Sequence, residues 1–130
     1  MLRDTKRFLK SGLTPAQAIL MMFHPGSDDG EETEFEKSAI AQLKSVDQEL
    51  LIAEVRSLVD SISDDSSRKM LTLYTGLDGE RIPTLERVGR TVRNVGNTRA
   101  RQRIRKSVRI LRQLINRDRL VSIGLTHWGE

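Results

Sequence analysis

The residues of this 130-residue chain best equipped for chemistry lie between Asn97 and Ile115, in NTRARQRIRKSVRILRQLI. The chemistry they suit is recognition of a polyanion. Lysine and arginine neutralise phosphate, whereas telling one base from another needs forked groups such as arginine on guanine or glutamine on adenine. Both kinds occur here. At about 100° per residue, Ala100, Ile104, Val108, Leu111 and Ile115 fall on one stripe, which is the expected buried face. Opposite lie Arg99, Gln102, Lys106, Arg109 and Gln113, flanked by Thr98, Arg103 and Arg105, with Arg101 continuing the arginine spacing. The plain alternative is a solvated basic helix of an unrelated bundle.

Elsewhere the chain is poor in reactive constellations. It has no cysteine, which removes disulfides, thiolate zinc sites and cysteine nucleophiles and suits a cytoplasmic protein. His24, Asp28, Asp29 and Glu31 have neither calcium-loop nor zinc-helix spacing, so they read as a solvated acidic loop. His127 beside Trp128 has no carboxylate or nucleophile near it in sequence, and Trp128 reads as a packing anchor or an interface residue. Asp64 and Asp65 sit where a helix begins, and capping explains them. There is no nucleophile elbow, phosphate-cradling glycine loop or paired acid and base. The expectation is a protein that is not an enzyme and needs no cofactor or metal.

The formal net charge of +4 conceals an asymmetry. Residues 1–65 hold 7 basic and 13 acidic side chains, and residues 66–130 hold 15 and 5. Such a field points to a polyanion partner: duplex DNA, RNA, an anionic membrane surface or an acidic protein face. Composition does not choose among them. The apolar run AILMMF is too short for a signal-peptide core or a membrane span, so no membrane association is expected.

The elements that must position the basic stretch are helical, because apolar residues recur at helical spacing almost throughout. The pattern predicts a short helix over 4–10, then a helix from Pro15 to about Phe23 with Thr14 as its cap. Ile19, Leu20, Met22 and Phe23, with Phe8, are expected in the core, the alternative being a face covered by a partner. HPGSDDGEETE, with Pro25, Gly26 and Gly30, reads as an acidic hinge. It divides a helical appendage over 1–35 from a main domain over 36–119. Ile40, Leu43, Val46, Leu50, Leu51, Val55, Leu58 and Ile62 then keep one face, with a place for a break at Ser45 to Asp47. Ser63 is the expected cap of a helix bearing Met70, Leu71, Leu73 and Tyr74, which Gly76 ends in a left-handed cap. Thr84 caps a short helix with Leu85, Val88 and Val92 inward, and Gly89 permits close helix approach. RNVGN turns the chain into the basic helix, which Thr98 is expected to cap. The apolar tail over 120–130 is expected to fold back on the domain.

A short helix, a glycine-containing turn and a basic helix is the order of a helix-turn-helix. GLDGE at Gly76 to Glu80 and TLERVG at Thr84 to Gly89, followed by TRARQRIRKSVRILRQL, resemble region 4 of housekeeping bacterial sigma factors. The resemblance covers about residues 47–115. It implies an all-α fold, a helix-turn-helix that recognises a promoter −35 element, and docking on the β flap of RNA polymerase. It also implies a lone region 4 module, since no region 2 has room. On the family's pattern, anchoring on Ile104 keeps Arg101, Arg103 and Arg105 in place and puts Gln102 where the family has glutamate and Lys106 where it has glutamine. The family's base-reading acidic residue is thus absent, which implies stronger phosphate binding and altered base readout. The readings to be weighed are a DNA-binding regulator using Thr98, Arg99, Arg101, Gln102, Arg103, Arg105, Lys106 and Arg109, a polymerase-binding module with only non-specific nucleic-acid contact, and an RNA-binding protein. The scarcity of aromatics in the basic region weakens the third, because single-stranded RNA is usually held by stacking.

Overall fold

In a computed structural model the chain is described over residues 12–23, 34–82, 84–115 and 117–125. Among these residues there are seven helices and no strand: α1 (Pro15–Phe23), α2 (Glu34–Ser45), α3 (Gln48–Asp60), α4 (Asp65–Thr75), α5 (Leu85–Arg93), α6 (Asn97–Leu114) and α7 (Arg117–Ser122). The fold class is all-α, as expected. No helix of the described residues is long and apolar enough to cross a membrane. The expected helix over 4–10, the acidic hinge apart from Glu34, and His127 and Trp128 lie outside the described residues.

Within the stretch read as an appendage, α1 is a core helix packed against α2, α3, α4 and α6, with Ile19, Leu20 and Met22 buried as expected. Every residue from Ala16 to Met22 is buried, so the helix has no solvent face, which is the condition of an element enclosed by others. Its start is a reciprocal capping box. The backbone N–H of Gln17 donates to Thr14 Oγ1 at 3.4 Å, and the backbone N–H of Thr14 donates to Gln17 Oε1 at 2.7 Å. Buried Gln17 also donates through Nε2 to the carbonyl of Leu43 at 2.9 Å and to Gln48 Oε1 at 2.9 Å. Its amide is therefore satisfied on both sides, and it ties α1 to the joint between α2 and α3.

That joint is the expected break. Asp47 caps α3 by accepting from the N–H groups of Glu49 (2.9 Å) and Leu50 (3.3 Å). The interruption shifts the phase of the apolar stripe. Leu51, Val55, Leu58 and Val59 face inward, whereas Leu50, expected among them, is exposed. At the far end of the chain Leu120 and Leu125 are buried, and Arg119 pairs with the nearly buried Glu54 of α3 at 3.3 Å. The described part of the tail thus folds back, as the apolar residues require.

α4, α5 and α6 pack on one another to form the frame of the basic helix. Asp64, and not Ser63, caps α4, accepting from the backbone N–H of Ser67 at 3.1 Å. A carboxylate is the stronger acceptor at the positive end of a helix. Gly76 ends α4 with φ 81°, and its N–H donates to Thr72 O at 2.9 Å. Thr84 caps α5 through Oγ1, which accepts from Arg87 N at 3.3 Å. Asn94, Val95 and Gly96 alone separate α5 from α6. The turn is this tight because Asn94 takes φ 54° and because Gly89 has no side chain; a Cβ there would stand 2.5 Å from the carbonyl oxygen of Val95.

Candidate nucleic-acid interface

α6 is an 18-residue helix whose inner stripe holds it in place. Ala100, Ile104, Val108 and Leu111 are buried and Ile115 is half-buried, all as the spacing requires. Ser107 shares this face, its hydroxyl satisfied by donation to the carbonyl of Arg103 at 3.0 Å. The cap differs from expectation. Gly96 occupies the capping position with no side-chain hydrogen bond, and Thr98 lies inside the first turn. The left-handed Asn94 brings the chain into helical register early enough for Ala100 N to donate to Gly96 O at 3.1 Å.

Arg99, Arg101, Gln102, Arg105, Lys106 and Arg109 are all exposed, as is Thr98. Among the described residues none of these cations is paired with a carboxylate. By helical phase Arg101, Arg105, Arg109 and Arg112 form a row along one side. Gln102 and Gln113 lie near the crest, and Arg99 and Lys106 lie on the other side.

Arg103 is different. It stands at the edge of the second side, its side chain 29% exposed, and Nη1 donates to Asp64 Oδ2 at 3.1 Å. Asp64 and its neighbours are the part of the site that the sequence pattern does not point to as an interface element. Ile62, Ser63, Asp64 and Ser67 form one wall of a groove of about 540 Å³, and Arg99, Gln102, Arg103 and Lys106 line the facing side. Close by, Arg93 at the end of α5 donates to Ser66 Oγ at 3.2 Å. The hydroxyl of Ser67 and its backbone N–H, both donating to the Asp64 carboxylate, hold that group below the usual carboxylate range. The charges of Arg103 and Arg93 add to the effect, and partial desolvation opposes it. Asp64 is thus a persistent negative charge at one edge of a cationic face.

The other cations of the frame are mostly engaged. Arg68 donates to Asp65 at 2.6 Å and to the carbonyl of Ile62 at 2.7 Å, Lys69 pairs with Asp65 at 3.2 Å, and Arg90 pairs with Glu86 at 3.4 Å. The concentration of unpaired charge on α6 is therefore a property of the arrangement as well as of composition. Compared with models of protein families, with curated proteins and with solved structures, the chain matches none.

Proposed function

We propose that this protein is a DNA-binding transcription regulator, not an enzyme, that lays α6 in the major groove of promoter DNA. In this reading α5 and α6 form a helix-turn-helix of the sigma region 4 kind. The observation that carries it is the exposed face of α6, where Arg99, Arg101, Arg105, Lys106 and Arg109 surround Gln102 and the helix itself contributes no carboxylate. At 1.5 Å per residue the helix is about 27 Å long, and a helix with its side chains fits a groove about 12 Å wide. Arginine and lysine would meet phosphates, and Gln102 is the residue placed to meet a base edge. Cytoplasmic location, next to the nucleoid, follows from that role.

The partner reading, contact with RNA polymerase at its β flap, rests on a separate observation. Leu50 on α3 and Val121 on α7 are each more than half exposed, and Leu50 shares a groove of about 330 Å³ with Ile123. A pull-down with RNA polymerase, repeated with Leu50→Asp, tests this surface independently of DNA.

For DNA, the test is fluorescence anisotropy on a labelled random-sequence duplex across a salt series. Neutralising several phosphates makes the logarithm of affinity fall linearly with the logarithm of salt, by about 0.9 per phosphate contacted. Binding indifferent to salt, or no binding to duplex at low salt, would sink the proposal.

A further inference from the structure

The cationic face of α6 has two edges of unlike character. Along one, Arg101, Arg105 and Arg112 are exposed, with no carboxylate beside them among the described residues. Along the other, Arg99 and Lys106 are exposed, but Arg103 is drawn 3.1 Å from Asp64, the capping residue of α4, which also stands near Arg93. A guanidinium held against a carboxylate is an internal substitute for a phosphate contact, and the pair cancels a positive charge that would otherwise attract the backbone.

We propose that Asp64 is the specificity-determining residue of this interface: it withholds Arg103 from phosphate and so lowers affinity for DNA of any sequence, leaving phosphate contact to the unpaired cations. The inference rests on the DNA-binding reading and deepens it, because it says which cation of the helix does not count towards phosphate binding. The reason such a device matters is general. Non-specific binding comes from phosphate neutralisation, so every cation removed from that count widens the margin by which base contacts decide where the protein rests. The structure favours withholding over simple repulsion because three elements hold the arrangement. The helix start of α4 supplies Asp64 with Ser67 donating to it, α6 supplies Arg103, and α5 supplies Arg93, itself anchored on Ser66 Oγ.

The experiment is a cycle of four proteins, wild type, Asp64→Asn, Arg103→Ala and the double variant, with Asp64→Ser as a second single variant. Asparagine and serine both cap helices, so α4 keeps its start. On a random-sequence duplex, Asp64→Asn and Asp64→Ser are expected to bind several-fold tighter at low salt. Their salt slope should be steeper by about 0.9, the value of one additional phosphate contact. Arg103→Ala alone should leave the slope near that of wild type, and Asp64→Asn should add nothing in the Arg103→Ala background. An increment of the same size in that background would mean that only bulk charge had changed, and would overturn the proposal, as would no increment from Asp64→Asn when Arg103 is present. If wild type shows no salt-dependent duplex binding, the DNA-binding reading fails by itself. The salt needed to elute the same proteins from heparin, a sulfated polyanion, then decides the role of Asp64: later elution of Asp64→Asn only when Arg103 is present upholds it, and equal elution overturns it.

Discussion

The carboxylate of Asp64 and the guanidinium of Arg103 lie 3.1 Å apart although 39 residues separate them in sequence. The contact joins the start of α4 to the middle of α6, at a carboxylate whose titration contributes to the acid dependence of stability. In the unfolded chain Asp64 titrates near 3.8; in the folded protein the Ser67 donors, then Arg103 on α6 and Arg93 on α5, hold it lower. The unfolded state therefore binds the proton first as pH falls. The contribution of Asp64 is fully present above the ordinary carboxylate range and is lost as pH falls from there through the folded value. Asp64→Asn is accordingly expected to melt at a lower temperature than wild type at neutral pH, with the gap closing below about pH 4. Thermal melts across a pH series check this, and a gap undiminished in acid would contradict it.

Gly89 makes the tightest backbone approach in the frame. A methyl group there would lie 2.5 Å from Val95 O and 3.1 Å from the Ala100 Cβ. Neither can yield, since one is backbone in a three-residue turn and the other is a buried residue of α6. Gly89→Ala is expected to cost about 1–3 kcal/mol, the usual range for overpacking, despite the better helix propensity of alanine. Urea unfolding measures it; an unchanged or raised midpoint would mean that α5 and α6 do not pack as described.

Gln17 is the buried polar residue on which the packing of α1 turns. It closes the capping box with Thr14 and donates to Leu43 O and Gln48 Oε1. Gln17→Ala removes the box and strips donors from two acceptors at the α2–α3 joint. Leu43 O keeps the Gln48 Nε2 donor at 3.0 Å, so the expected loss is that of the Gln17 hydrogen bonds themselves, about 1–3 kcal/mol in sum. Hydrogen exchange should show faster opening at Leu51 and Leu43 amides in this variant; exchange confined to wild-type rates would count against a central α1.

How much of this was legible in the sequence depends on range. The inner stripe of α6, the left-handed end at Gly76 and the cap at Thr84 were legible because each is set by residues within a turn or two of itself. The exposure of Leu50 was not, because a break expected at Ser45 to Asp47 does not say by how much the cap at Asp47 shifts the phase of the stripe. The burial of α1 was signalled by AILMMF, apolar on all sides, but Pro25, Gly26 and Gly30 suggested a separate piece. Breakers mark where a helix stops and say nothing of what it packs against. The clamp on Arg103 had no local signal, since a pattern that counts arginines cannot show which of them a distant carboxylate has taken.

The two outward residues Gln102 and Lys106 separate reading from holding. They are one helical turn apart on α6, both exposed, and both border the groove beside Asp64, so replacing either with alanine leaves the core untouched. A glutamine amide can bond a base edge in two places, whereas a lysine ammonium is a point charge suited to phosphate. Once a preferred duplex has been selected from a random pool, Gln102→Ala is expected to narrow the difference in affinity between that duplex and random DNA by about 1–3 kcal/mol, at unchanged salt slope. Lys106→Ala is expected to weaken both duplexes alike and to lower the slope by about 0.9. Anisotropy titrations on both duplexes at three salt concentrations distinguish the two effects. If Gln102→Ala weakens both duplexes equally while Lys106→Ala changes their ratio, α6 meets DNA rotated from the orientation that its free arginines imply.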